Sequence, residues 1–230
     1  MIVLFYLLTK STYKILSSFK ETEFLNKELI IFSLPLLFSQ IFIVFLLSID
    51  TLILGHFKES NIVGIYNAAI PLAEILYIAP VTITTIFTPI ITELFSKNKS
   101  IESIYKTSTK WIFLINVPIF LVLLFFSKTV LYIFFGNDYI SGYIALIILS
   151  IFFFIRSLAF NQERILLMLK KTGLISLNIL ISLLFNIVLS LILIPKYGLN
   201  GAAFASALSF FLLAILLHVE TLYFTKIKTF

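Results

Sequence analysis

Residues 64–94 read GIYNAAIPLAEILYIAPVTITTIFTPIITEL, and the number of times this stretch crosses a membrane decides the fold. About 20 apolar residues suffice for one helical crossing, so the stretch is long for a single span. Pro71, Pro80 and Pro89 interrupt it, and each removes a backbone N–H that a helix would use. One helix projecting beyond the bilayer and two broken halves both fit the apolar pattern. Lysine placement decides between them. With one crossing, Lys10, Lys14, Lys20, Lys27, Lys97, Lys99, Lys106, Lys110, Arg164, Lys170, Lys171, Lys226 and Lys228 share one side. Only Lys58, Lys128 and Lys196 take the other, and Arg156 stays inside a span. Thirteen against three is the bias expected when basic loops stay in the cytoplasm. Two crossings would carry the Lys97–Lys110 group outside and destroy the bias. The stretch is therefore read as one crossing.

Working outward, apolar runs place the other spans near residues 29–55, 111–135, 141–168, 173–195 and 200–224. The composition agrees: 60% of residues are hydrophobic and 12% charged, against about 25% charged in soluble domains. The fold class is all-α, a polytopic bundle of six transmembrane helices with a short N-terminal partial helix. Residues 1–28 form the partial helix and a cytoplasmic linker, and 29–225 the six-helix lobe. The opening MIVLFYLLTK lacks a basic leader and a cleavage site, and reads as half a helix. Both termini are expected in the cytoplasm, with the chain in the cell membrane. Tyr6, Tyr13, Tyr132, Tyr139, Tyr143 and Tyr223 lie near span ends, where an aromatic belt sits.

Several functions are excluded. Without cysteine there are no disulfides and no thiolate metal sites. His56 and His218 match no metal-ligand spacing, and no glycine-rich phosphate loop occurs. No cluster of catalytic residues is visible, so neither an enzyme nor a cofactor is expected. The net charge of +6 is a topology signal, helped by anionic membrane lipid, and not a nucleic-acid footprint.

Charges at membrane depth cost about 2.5–3.5 kcal/mol at a helix centre, which makes each one a functional candidate. Arg156 lies well inside the fourth span, with Glu163 seven positions on and on the same face. Glu74 sits mid-span, and Asn67 shares its face. Asp50 lies near the outer end of the first span. Arg156 either binds an acidic group with its fixed guanidinium fork or pairs with Glu74 or Asp50. Asp50 is expected to hydrogen-bond at a partly wet helix end. Glu163 is expected as a solvated charge beside Arg164, and His218 and Glu220 as interfacial. Pro71, Pro80 and Pro89 read either as hinges or as static kinks.

A second stretch, PKYGLNGAAFASALS at 195–209, carries two of the chain's seven glycines. Gly198 ends a turn and Asn200 reads as the N-cap of the last span. Gly201, Ala205 and Ser209 then recur every four residues. The preceding span offers Asn178, Ser182, Asn186 and Ser190 at the same spacing. Small residues let helix backbones approach closely in lipid, where burial alone does not join helices. The two stripes predict a tight hairpin.

KYGLNGAAFASALS after LILIP resembles the last segment of the polysaccharide exporters of the multidrug, oligosaccharidyl-lipid and polysaccharide exporter superfamily. SIDTLILGHFKESNIVGIYNAAIPLAE at 48–74 and FGNDYISGYIALIILSI at 135–151 resemble earlier segments of the same C-terminal half, in the right order. The resemblance implies a flippase that moves lipid-linked oligosaccharide by alternating access between two six-helix lobes, for cell-surface polysaccharide biosynthesis. It implies that this chain corresponds to the second lobe. Such a lobe needs a partner lobe or another copy of itself. On that reading Arg156, Glu74, Asn67 and Asp50 line the cavity, and Arg156 meets the pyrophosphate or acidic sugar. Two other readings stay open: a cation-coupled multidrug antiporter of the same superfamily, with Glu74 as the ion-binding carboxylate, and a non-transporting subunit or inactive remnant.

Overall fold

The computed structural model describes residues 23–97 and 99–225. The N-terminal partial helix, Tyr6 and Tyr13 fall outside the described residues. Among the described residues there are nine α-helices and no strand. They are α1 (Glu23–Phe57), α2 (Ser60–Glu74), α3 (Ile78–Ser96), α4 (Glu102–Phe125), α5 (Ser127–Phe135), α6 (Tyr143–Leu158), α7 (Phe160–Met168), α8 (Thr172–Tyr197) and α9 (Leu199–Thr225). Short 3-10 turns fill Ile75–Tyr77 and Asn137–Gly142. Joined across their breaks, these helices form six segments long and apolar enough to cross a bilayer. The protein is an all-α multi-pass membrane bundle.

The disputed stretch runs as one path, α2 and α3 joined by the 3-10 turn. Pro80 cannot donate to the carbonyl of Leu76, four residues back. Asn116 on α4 replaces the missing donor: its Nδ2 lies 2.9 Å from the Leu76 oxygen and 2.8 Å from Ser157 Oγ on α6. The helix break just before Pro80 is thus held by a neighbouring helix, one way in which spans tolerate proline. Asn116→Leu leaves the Leu76 carbonyl buried without a partner, which costs about 1–3 kcal/mol. The expected result is a lower thermal unfolding midpoint in detergent. An unchanged midpoint would mean that the carbonyl finds another donor.

The third span needs correction. It ends at Phe125 rather than near 135, and starts at Glu102 rather than 111. Phe126 leaves helical geometry (φ −116°, ψ 22°), and the apolar run beyond it forms the separate short helix α5. Hydropathy averages over such a break because both sides are apolar. The fourth span is likewise broken, at Ala159 between α6 and α7.

The bundle's outer surface is apolar, with Leu34, Phe45, Ile133, Leu184 and Val219 among many exposed large side chains. Its interior mixes leucine and phenylalanine with small and polar residues such as Ala203, Ala207, Ser182 and Asn186. This follows from lipid as solvent, in which close contact and hydrogen bonds hold helices together. Of the spans, α9 is the most buried and α1 the least.

The α8–α9 hairpin is tightly closed. A Cβ built on Gly201 would lie 2.3 Å from the Leu193 carbonyl oxygen and 2.6 Å from its carbon. No side chain fits between these backbones. Ala205, Ser209, Asn178, Ser182, Asn186 and Ser190 are all buried as well. Gly198 turns the chain with φ 57°, a value that L side chains rarely adopt. The cap is placed differently from the sequence expectation. Helix α9 already begins at Leu199, so Asn200 lies within its first turn, and its buried Oδ1 has no hydrogen-bond partner.

Candidate functional site

Three polar groupings occur at membrane depth. The first is an open face on α1 and α2. Thr51 Oγ1 donates to Asn67 Oδ1 at 2.8 Å, and Asn67 is exposed. Pro71, one turn further, is exposed, and Glu74, the next turn, is half-buried. Glu74 makes no hydrogen bond or ion pair among the described residues. Exposed Thr82, Thr85 and Thr92 continue the polar positions along α3, the last two bonded back to their own helix. Helical spacing of Asn67, Pro71 and Glu74 produces this face.

The second grouping surrounds Arg156. Its side chain is only 4% exposed and pairs with Glu163 at 2.7 Å. The pair closes over the break between α6 and α7. The partner is therefore Glu163, and not Glu74 or Asp50. Glu163 is correspondingly no free solvated charge: its side chain is 23% exposed. The break at Ala159 carries the chain from α6 into α7 between them, which the shared-face spacing alone did not show. The guanidinium also approaches the Phe160 ring, 5.8 Å from its centroid, while Arg164 lies 5.1 Å from the same ring on its own account. Nε and Nη1 of Arg156 are buried without partners. Tyr77 stands within electrostatic reach of Arg156, Glu163 and Glu74, and so links this pair to the open face. Its ring packs edge-on against Phe153 at 5.0 Å.

Nearby side chains extend the network. Gln162 Nε2 lies 2.7 Å from His218 Nδ1, Asn178 Nδ2 donates to Glu220 at 2.7 Å, and Asn161 donates to Ser108 and Thr109, both at 2.9 Å. His218 and Glu220 are thus tied to α7 and α8.

The third grouping centres on Asp50. It is 1% exposed, and not at a wet helix end. Ser190 Oγ donates to Oδ1 at 2.8 Å, Tyr66 OH to Oδ2 at 3.3 Å, and Ser206 Oγ also to Oδ2. The C-terminal end of α1 is covered by α2, α8 and α9, and that neighbourhood is invisible in a linear hydropathy pattern.

Over residues 1–145 the sequence matches the family described as polysaccharide biosynthesis protein. The chain belongs to this family. Relatives agree with the assignment. A probable low-salt glycan biosynthesis flippase, Agl15, of Haloferax volcanii is 32% identical over 200 residues, which are 86% of this chain and 42% of that protein. The capsular polysaccharide biosynthesis protein CapF of Staphylococcus aureus is 31% identical over 82% of this chain and 48% of its own length. An uncharacterized membrane protein of Methanocaldococcus jannaschii is 28% identical over 73% of this chain and 34% of its own length. The chain thus spans between a third and a half of the length of these relatives. No solved structure matches it significantly.

The structure brings both Arg156 and Glu74 within electrostatic reach of Tyr77 and leaves Asp50 in its own cluster. Tyr66, Tyr77 and Asn116 did not stand out in the sequence. Asn116 carried one available signal, a lone amide in an apolar run.

Proposed function

We propose that this chain is one lobe of a transporter that passes a lipid-linked sugar across the cell membrane, with its basic loops and both termini in the cytoplasm. The observation that carries the reading is the open polar face of Thr51, Asn67 and Glu74 on membrane-spanning helices. An acidic group facing hydrocarbon is costly, and such residues ordinarily face a bundle interior or a water-filled cavity. A cavity closed by a second lobe or a second copy of the chain supplies that environment. The names of the glycan flippase and capsular relatives support the substrate class. The chain then needs no chemistry of its own, and it acts as a transporter and not as an enzyme. The buried Arg156 serves mainly to hold α6 to α7, and Glu74 and Asn67 are the groups in reach of a substrate.

A photo-crosslinking residue at position 67, in native membranes, is expected to capture protein. Capture of lipid alone would remove the facing lobe. In cells deleted for the chain, lipid-linked sugar is expected to accumulate on the cytoplasmic leaflet. Restoring the chain should clear it, and Glu74→Ala should restore less than a tenth of that activity while remaining in the membrane. Full clearance by Glu74→Ala would take Glu74 out of the transport path. Loss of dye efflux in the deletion, with sugar distribution unchanged, would instead favour the multidrug antiporter.

A further inference from the structure

A groove opens between the start of α1 and the turn from α7 into α8. Its volume is about 690 Å³, within the roughly 300–1,000 Å³ usual for small-molecule sites. One wall is apolar, built from Ile31, Phe32 and Pro35 of α1. The apolar part of α1 starts at Leu29 and that of α8 at Thr172, so the groove lies where both spans enter the bilayer. The other wall is polar, with Lys170, Thr172 and Gly173. Lys170 is exposed and makes no ion pair among the described residues. The adjacent Lys171 instead lies over the Phe224 ring, 4.7 Å from its centroid. Lys27, one turn before Ile31 on α1, adds a second exposed cation on the same face.

Two further observations point to an anion at the polar end. Thr172 is 3% exposed and lines the groove, yet its hydroxyl has no hydrogen-bond partner among the described residues. Helix α8 begins there with no capping side chain, so its first N–H groups lack partners within the helix, at the positive end of its dipole. The occupant is therefore apolar at one end and anionic at the other. A phospholipid with net negative charge has both parts, and the groove sits at the depth where its phosphate meets its acyl chains. Basic pockets between spans suit such headgroups. Residues 1–22 carry Lys10, Lys14 and Lys20 against Glu21 alone, so that segment has the wrong charge for the site. Thr51, on the open polar face, lies roughly 24 Å further along α1 than Pro35 at about 1.5 Å per residue, which separates the groove from the transport face.

We infer that this groove binds an anionic phospholipid, with an acyl chain along Phe32 and Pro35 and the phosphate at Lys170, Thr172 and the start of α8. The lipid joins α1, the least buried span, to α8. Lys170 holds φ 56°, a left-handed conformation that glycine adopts without strain. Replacing it with glycine removes the charge and keeps the turn, which separates binding from folding. The site is independent of the transport reading, since binding is measured without any transported sugar.

The test uses the purified full chain in detergent. Thermal unfolding is followed as phosphatidylglycerol or phosphatidylcholine is added, and bound lipid is counted by native mass spectrometry. Phosphatidylglycerol is expected to raise the midpoint saturably, with phosphatidylcholine about fivefold weaker, as the attraction of one lysine predicts. Lys170→Gly should abolish that preference while its lipid-free midpoint holds or rises. Gly173→Leu, whose side chain enters open space, should fill the groove and weaken binding with Lys170 still present. Lys110→Gln, on α4, should leave the preference intact. Equal shifts by the two lipids, or a preference that survives Lys170→Gly, would overturn the site. Equal losses in Lys110→Gln and Lys170→Gly would also overturn it and make the effect one of general surface charge. Displacement of phosphatidylglycerol by an equimolar polyisoprenyl pyrophosphate would overturn it in favour of a carrier-lipid site. A photo-crosslinking residue at position 173, in native membranes, should capture phospholipid, and capture of protein instead would replace the lipid with a polypeptide.

Discussion

Gly201→Leu is expected to yield no folded protein, and Gly201→Ala one with a clearly lowered unfolding midpoint. The added Cβ would stand 2.3 Å from the Leu193 oxygen and 3.0 Å from the Ile194 nitrogen. Both are backbone atoms of α8, so relief requires the whole helix to move. Overpacking in a tight core costs about 1–3 kcal/mol for small additions, and alanine belongs there. Leucine must separate α8 from α9, and with them Ser190 from Ser206. Gly64 supplies the contrast. It lies within α2 with nothing inside 4 Å of its built Cβ, and alanine is the better helix former by about 1 kcal/mol. Gly64→Ala should therefore hold or raise the midpoint. If both alanine variants melt together, the hairpin is looser than its geometry states. Thermal unfolding in one detergent, read by fluorescence, suffices for the comparison.

Glu163→Ala has the second large effect. It strands the Arg156 guanidinium, 4% exposed, with no anionic partner. Breaking a buried pair from one side costs about 3–5 kcal/mol, while replacing both partners with apolar groups is often neutral. The lower end applies, because Glu163 keeps 23% of its side chain exposed. The double variant Arg156→Leu with Glu163→Leu should recover most of the loss. No recovery would show that Arg156 makes further contacts that matter. The same series separates the two uses of Arg156. A structural pair predicts that transport and stability fall together in Arg156→Ala and return together in the double variant. Loss of transport at full stability would place the guanidinium in contact with substrate.

Six segments fit to cross were legible in the sequence because a bilayer filters segments by length and apolarity. Both can be read along the chain without knowing which helix neighbours which. The small-residue stripes were legible for a related reason: a four-residue period defines a face before its partner is known. Partnership was not legible. Asp50 meets Ser190 and Ser206 across 140 and 156 residues, and Asn116 serves a carbonyl 40 residues away. Glu163 was seen to share a face with Arg156, yet that spacing did not identify it as the partner. Hydrogen bonds and ion pairs act over a few ångströms, so their partners depend on how helices pack and where they break. Tertiary structure alone decided that Arg156 closes on Glu163 and that Asp50 is enclosed by hydroxyls. Among the described residues it also left Glu74 without an ion pair, on the open face that carries the transport reading.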